Sequence, residues 1–155
     1  MNSLALCFML QATVLAGGPQ DSANVSYRQA YHQTIETGQP LVILVGADWC
    51  PGCQTMKHSV IPALRHQGSL KDVSFAVVNS DQQSRLASQL MSGGSIPQLI
   101  TYRKSADGWK RTQLTGAHSV GEVQSFIHRA VELTAAERER ESTTIRTSAS
   151  SPSTK

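Results

Sequence analysis

Apolar and polar positions alternate in two distinct rhythms along this chain, and the switches between them mark out the elements. Val25 to Thr37 carries Ala30, Tyr31, Thr34 and Ile35 at helical spacing, and Gly38 can end that helix. Pro40 to Ala47, "PLVILVGA", holds a short continuous apolar run rich in β-branched residues. Such a run fits a strand covered on both faces of a parallel or mixed sheet. Helical spacing returns from Pro51 to His66, with Met56, Val60, Ile61 and Leu64 facing inward and Pro62 predicting a kink or early break. Val73 to Asn79 reads as a second buried strand, and Gln82 to Met91 as a helix stopped by Gly93-Gly94. Pro97–Arg103 and Trp109–Gly116 read as two strands joined through the turn dipeptide Asp107-Gly108, an antiparallel hairpin. Ser119, with Glu122 three positions on, forms a capping box for a last helix whose apolar face is Val123, Phe126, Ile127, Ala130 and Val131. The order α-β-α-β-α-β-β-α predicts an α/β fold: a three-layer α/β/α sandwich around a central mixed sheet.

Both ends depart from this pattern. Leu4 to Ala16 is apolar except for Gln11 and Thr13, and no charged side chain precedes Asp21. That run is shorter than the roughly 20 residues a membrane span needs. It fits the central region of a secretory signal, with Val14-Leu15-Ala16 as the cleavage site. Residues 1–16 are therefore expected to be a signal peptide, 17–24 a flexible lead-in and 25–134 the domain. An uncleaved anchor, or a buried first element, is the competing reading of the apolar run. The expected compartment is periplasmic or extracellular. From Ala135 the periodicity stops, and residues 135–155, Ser/Thr-rich towards the end, are expected to be a disordered tail.

Charge adds little. The formal net charge is +3, with 14 basic and 11 acidic residues of mixed order, too small an excess to imply nucleic-acid binding, and no basic stripe interleaved with aromatics appears. Cysteine changes the picture more. Loss of the leader would remove Cys7 and leave only Cys50 and Cys53, in "ADWCPGCQTMKHSV". A bridge across so short a segment scarcely constrains an unfolded chain. The pair is better explained by chemistry than by stapling.

Cys50 falls where the first strand gives way to a helix. With Cys50 as N-cap and Pro51 as first helical residue, the proline forfeits no hydrogen bond. The sulfur then faces free backbone N–H groups and the positive end of the helix dipole, which favour a thiolate. Cysteines so placed have pKa values of about 3.5–7.5, against about 8.5 when free. Cys53 lies on the same face, within bridging reach. Cys50 is thus the expected nucleophile and Cys53 the residue that resolves the mixed disulfide, with no cofactor required.

Trp49-Cys50-Pro51-Gly52-Cys53 after an apolar strand, with Ile96-Pro97 ahead of a later one, resembles the thioredoxin superfamily over roughly Tyr27 to Leu133. The resemblance implies a cis peptide bond before Pro97, facing the cysteine pair. It implies that Ile96 offers its backbone to an extended substrate, with Trp49 and Gly116 at the same groove. Protein disulfides or dithiols are the implied substrates of a thiol–disulfide oxidoreductase leaning towards reduction, exchanging electrons with an unidentified donor or acceptor and acting as a monomer without nucleic acid. Three departures from the family pattern stand out: the dipeptide, a replaced ion pair and a missing histidine. The spacer dipeptide is Pro51-Gly52 rather than the reverse. Leu44 stands where thioredoxins place a buried Asp, and Val77 where they place its Lys partner. A histidine between the cysteines is absent.

Two alternatives use the same residues. Metal binding would need His58, His66, Met56 or Asp48 beside the two thiolates, and Cu(I) would suit the sulfur donors. A binding module would keep the groove without turnover. Trp49 reads equally as core packing or as a rim residue. Asp48 reads as a solvated charge, His118 and His128 as surface histidines, and Asn24-Val25-Ser26 as a chance sequon.

Overall fold

A computed structural model describes residues 26–149 of the chain. The expected leader, the lead-in and residues 150–155 lie outside them. Helix α1 (Tyr27–Thr37) starts at Ser26, whose side chain accepts from Gln29 N–H, and ends at Gly38 with φ 66°. Strands β1 (Leu41–Gly46) and β2 (Ser74–Asn79) pair in parallel with Ile43 opposite Ala76. Strand β3 (Gln98–Ser105) runs antiparallel to β1 with Ile43 opposite Ile100, and β4 (Gly108–Thr115) closes the hairpin. The sheet order is β2-β1-β3-β4, with β1 central, as expected of a strand apolar on both faces.

Alternate residues of β1 feed two cores. Val42 and Leu44 pack with Met56, Leu64, Val123 and Ile127 on one face. Leu41, Ile43 and Val45 pack with Ala30, Ala87 and Leu90 on the other. The first face is covered by the helical run after the cysteines and by α5 (Val120–Ala149), the second by α1 and α4 (Ser84–Leu90). This is the three-layer sandwich. On α1, Ala30 and Thr34 are buried, but Tyr31 and Ile35 are exposed.

The helical run is continuous but not uniform. It comprises α2 (Pro51–Thr55), a π turn (Met56–Val60) and α3 (Ile61–His66). Ile61 N–H bonds the Met56 carbonyl five residues back. Pro62 has no N–H to give its fourth preceding carbonyl, and its ring would collide there. The widened turn absorbs that conflict, so the helix neither breaks nor ends. Val60 and Ile61 both lie in the core with Met56 and Leu64, as the helical spacing predicts.

The end of the domain needs correction. Residues 135–149 are helical, where the sequence pattern ends the helix near 134 and begins a disordered tail. Ala135 to Glu141 are strong helix formers that continue an existing helix without a new nucleus. Two contacts hold the extension: Ser105 Oγ donates to Glu137 at 3.2 Å, and Arg138 donates to the Thr37 carbonyl at 2.7 Å. Among the described residues no helix is long and apolar enough to cross a membrane.

Candidate active site

The C-terminal end of β1 delivers the chain to Cys50, which caps α2 with Pro51 in the first turn. Cys50 and Cys53 form a disulfide, their Cα atoms 5.2 Å apart. The Cys53 backbone N–H donates to Cys50 Sγ at 3.2 Å. A sulfur so placed receives the donor that would stabilise its anion when the bridge opens. The residues are 7% and 4% exposed, so the bridge is sheltered and reached from one side.

Three loops meet over it. Ile96-Pro97 is a cis peptide, and the Ile96 carbonyl oxygen lies 3.9 Å from Cys50 Sγ. Gly116, at φ 96°, donates its N–H to the Pro97 carbonyl at 2.8 Å. A Cβ on Gly52 would stand 3.4 Å from both Pro97 Cδ and Ala117 Cβ, so Pro51-Gly52 seats its bare residue against the other two loops. Trp49 is 70% exposed, and its indole N–H donates to Asp81 Oδ2 at 2.9 Å. It is a rim residue and not core packing. The structure therefore brings Trp49, Cys50, Pro51, Gly52, Cys53, Ile96, Pro97 and Gly116 to one end of the sheet.

Of the residues considered for metal, Asp48 lines a small cavity with Cys53, and the other three do not join the pair. Met56 is fully buried, its sulfur accepting the His118 backbone N–H, and His58 and His66 are exposed. Among the described residues no three His, Cys, Asp or Glu side chains gather as metal donors. His118 pairs with Glu122 and His128 with Glu132 along α5 and its lead-in. Glu122 sits below the usual glutamate range because the Ser119 hydroxyl, then the Ser119 backbone N–H, donate to it.

Sequence reasoning missed four contributors. A Cβ on Gly46 would come within 2.9 Å of Cys53 Cβ and Sγ, so only glycine fits behind the bridge. A lone glycine in a β-branched strand was the available signal. Asp81 and Asn79 orient the rim, and no local pattern marks them. Gln98, fully buried, accepts from Ser92 N–H and donates to the carbonyls of Ser92 and Ser95, pinning the loop before Pro97.

The family model for thioredoxin matches residues 22–129, well over half of the chain. The chain belongs to the thioredoxin family. Among solved structures it is similar to a thioredoxin from Thermus thermophilus, at 20% identity over 71% of this chain and 87% of that one, with TM-score 0.60. It is also similar to Trxlp from Edwardsiella tarda, at 28% identity over 67% and 95%, with TM-score 0.52. A Trichomonas vaginalis thioredoxin follows at 24% identity over 68% and 92%, with TM-score 0.53. No curated protein matches at a significant level. Thioredoxin-fold proteins act on protein disulfides, and the Cys50–Cys53 bridge occupies the active-site position of this family domain, supporting thiol–disulfide oxidoreductase chemistry.

Proposed function

We propose that this protein is a protein-disulfide reductase of an exported compartment, its leader cleaved near Ala16. The observation that carries the reading is the cysteine bridge at a helix cap directly beneath the Ile96 carbonyl. In the reduced protein the Cys50 thiolate attacks a substrate disulfide. One substrate sulfur leaves with the electron pair and takes a proton from solvent, and Cys50 holds the other in a mixed disulfide. Cys53 then attacks Cys50, re-forming the bridge and releasing the second substrate thiol. Two electrons pass to the substrate, and an external dithiol donor must restore them. An extended substrate strand would lie along the Ile96 backbone, with Trp49 and Gly116 flanking it.

The reducing direction is supported by the spacer. Pro51-Gly52 adds no charge or side-chain donor, so the Cys50 thiolate draws on backbone dipoles alone. Strong oxidases owe their potential to an unusually stabilised reduced form. Equilibration of Cys50–Cys53 with glutathione tests this: a potential near the about −270 mV of thioredoxins is expected, and one near the about −120 mV of strong oxidases would reverse the direction. Cys50→Ser is expected to abolish reduction of protein disulfides. Cys53→Ser is expected to accumulate mixed disulfides, identifiable by mass spectrometry. Catalysis surviving in Cys50→Ser would remove the reading altogether.

A further inference from the structure

Cys53 can close the bridge only as a thiolate, yet it is 4% exposed. Burial disfavours the charged form, so a group within reach must take its proton. The neighbouring sheet positions Leu44 and Val77 are apolar and offer none. A small cavity supplies another way out. It holds about 20 Å³ and is lined by Cys53 and these two apolar side chains together with Asp48, Lys57 and Asn79. A water needs about 10–15 Å³, so the cavity has room for one.

Its polar wall is built from three elements. Asp48 comes from the loop after β1, Lys57 from the π turn and Asn79 from the end of β2. Lys57 Nζ lies 3.5 Å from Asp48 Oδ1, and Asn79 Nδ2 donates to Asp48 Oδ2 at 2.8 Å. The Asn79 oxygen is itself held by the backbone N–H groups of Asp81 and Gln82. The Asp48 carbonyl accepts from Gln54 Nε2 at 2.7 Å. Two side-chain contacts thus orient the carboxylate, whose side chain is 59% exposed. Asp81, the other acid at this corner, is engaged by Trp49, and His118, from the loop leading into α5, is turned to Thr115 and Glu122.

We propose that Asp48, held by Lys57 and Asn79, accepts the proton of Cys53 through one water in this cavity. The proposal rests on the redox reading above. In the mixed disulfide, the Cys53 S–H proton passes through the water to the Asp48 carboxylate. The electron pair left on Cys53 forms the bond to Cys50. The bond from Cys50 to the substrate sulfur breaks, its electron pair leaving on that sulfur, which is protonated from solvent. Asp48 then returns its proton to solvent. Lys57 and Asn79 are positioning residues, and Asp48 acts through the water.

The test separates the two cysteines by following the reduced protein in stopped flow with a chromogenic nitrobenzoate disulfide. Cys50 attack releases the first coloured thiolate, and Cys53 attack on the resulting mixed disulfide releases the second. Asp48→Asn is expected to slow the second phase at neutral pH by at least about tenfold, the low end of general-base effects. The first phase should stay within about twofold. Added acetate should restore the second phase in Asp48→Asn. Lys57→Met should also slow it, and Lys57→Arg should not. A second phase in Asp48→Asn and Lys57→Met that keeps the parent's rate and pH profile overturns the proposal. So does a faster one in Asp48→Asn, which would mark a charge effect without proton acceptance. An absent first phase in the parent protein would instead overturn the oxidoreductase reading.

Discussion

Cys53 is confined on both sides, by Gly46 behind and by the Cys50 sulfur in front. Gly46→Ala inserts a methyl 2.9 Å from two atoms that the bridge prevents from moving far. The expected cost is about 1–3 kcal/mol, as for other overpacked sites. Urea midpoints would measure it, and closure of the bridge should slow in parallel. An unchanged midpoint would mean that β1 gives way more easily than its five buried residues imply. The same position shows what a sequence can and cannot disclose. The spacing of Cys50 and Cys53, and the Pro51 beside them, are local and were legible. The lone Gly46 in a β-branched strand hints at a close approach, but that the approaching group is the Cys53 side chain on the neighbouring helix is not written locally.

Loops and caps decide how the site is presented. Gln98 is buried, and Gln98→Leu would remove its bonds to the Ser92 N–H and to the Ser92 and Ser95 carbonyls. A loss of about 1–3 kcal/mol is expected. KM for a protein disulfide should rise severalfold, while Cys50 attack on the small nitrobenzoate disulfide should change less. An equal effect on both substrates would place Gln98 in folding alone. At the start of α5, the Ser119 hydroxyl and N–H hold the Glu122 carboxyl below its usual range. A depressed carboxyl stabilises the fold fully above its unfolded value, and that contribution is lost as pH falls through the lowered folded value. Glu122→Gln should therefore flatten part of the acid limb of a stability–pH curve and leave the neutral-to-alkaline part parallel to the parent. The apolar runs of β1 and β2 and this capping box could be read directly because each is a contiguous pattern. The π turn could not, since Pro62 permits either a break or a wider turn.

Over the whole molecule, α5 reaches back to α1 and to β3. Arg138, far along α5, reaches the carbonyl that ends α1. Glu137 reaches the end of β3. A protein ended after Thr134 should lose about 3–6 °C in Tm, the equivalent of roughly one kcal/mol. Its rate of disulfide reduction at 25 °C should stay that of the parent, because the extension lies away from the cysteine end of the sheet. An unaltered Tm would reduce residues 135–149 to a passive continuation. The sandwich itself was legible from the order of elements. The length of α5 was not, because a polar, charge-rich segment reads as solvated tail until its partners across the fold are known.

The widened turn at Met56–Val60 divides one rod into two separately keyed parts. Its forward part is clocked by the sulfur bridge and its rear part by the oily seam against α5. Both stretches thus share one axis, and the extra width between them is what lets a proline sit in the rod without cutting it.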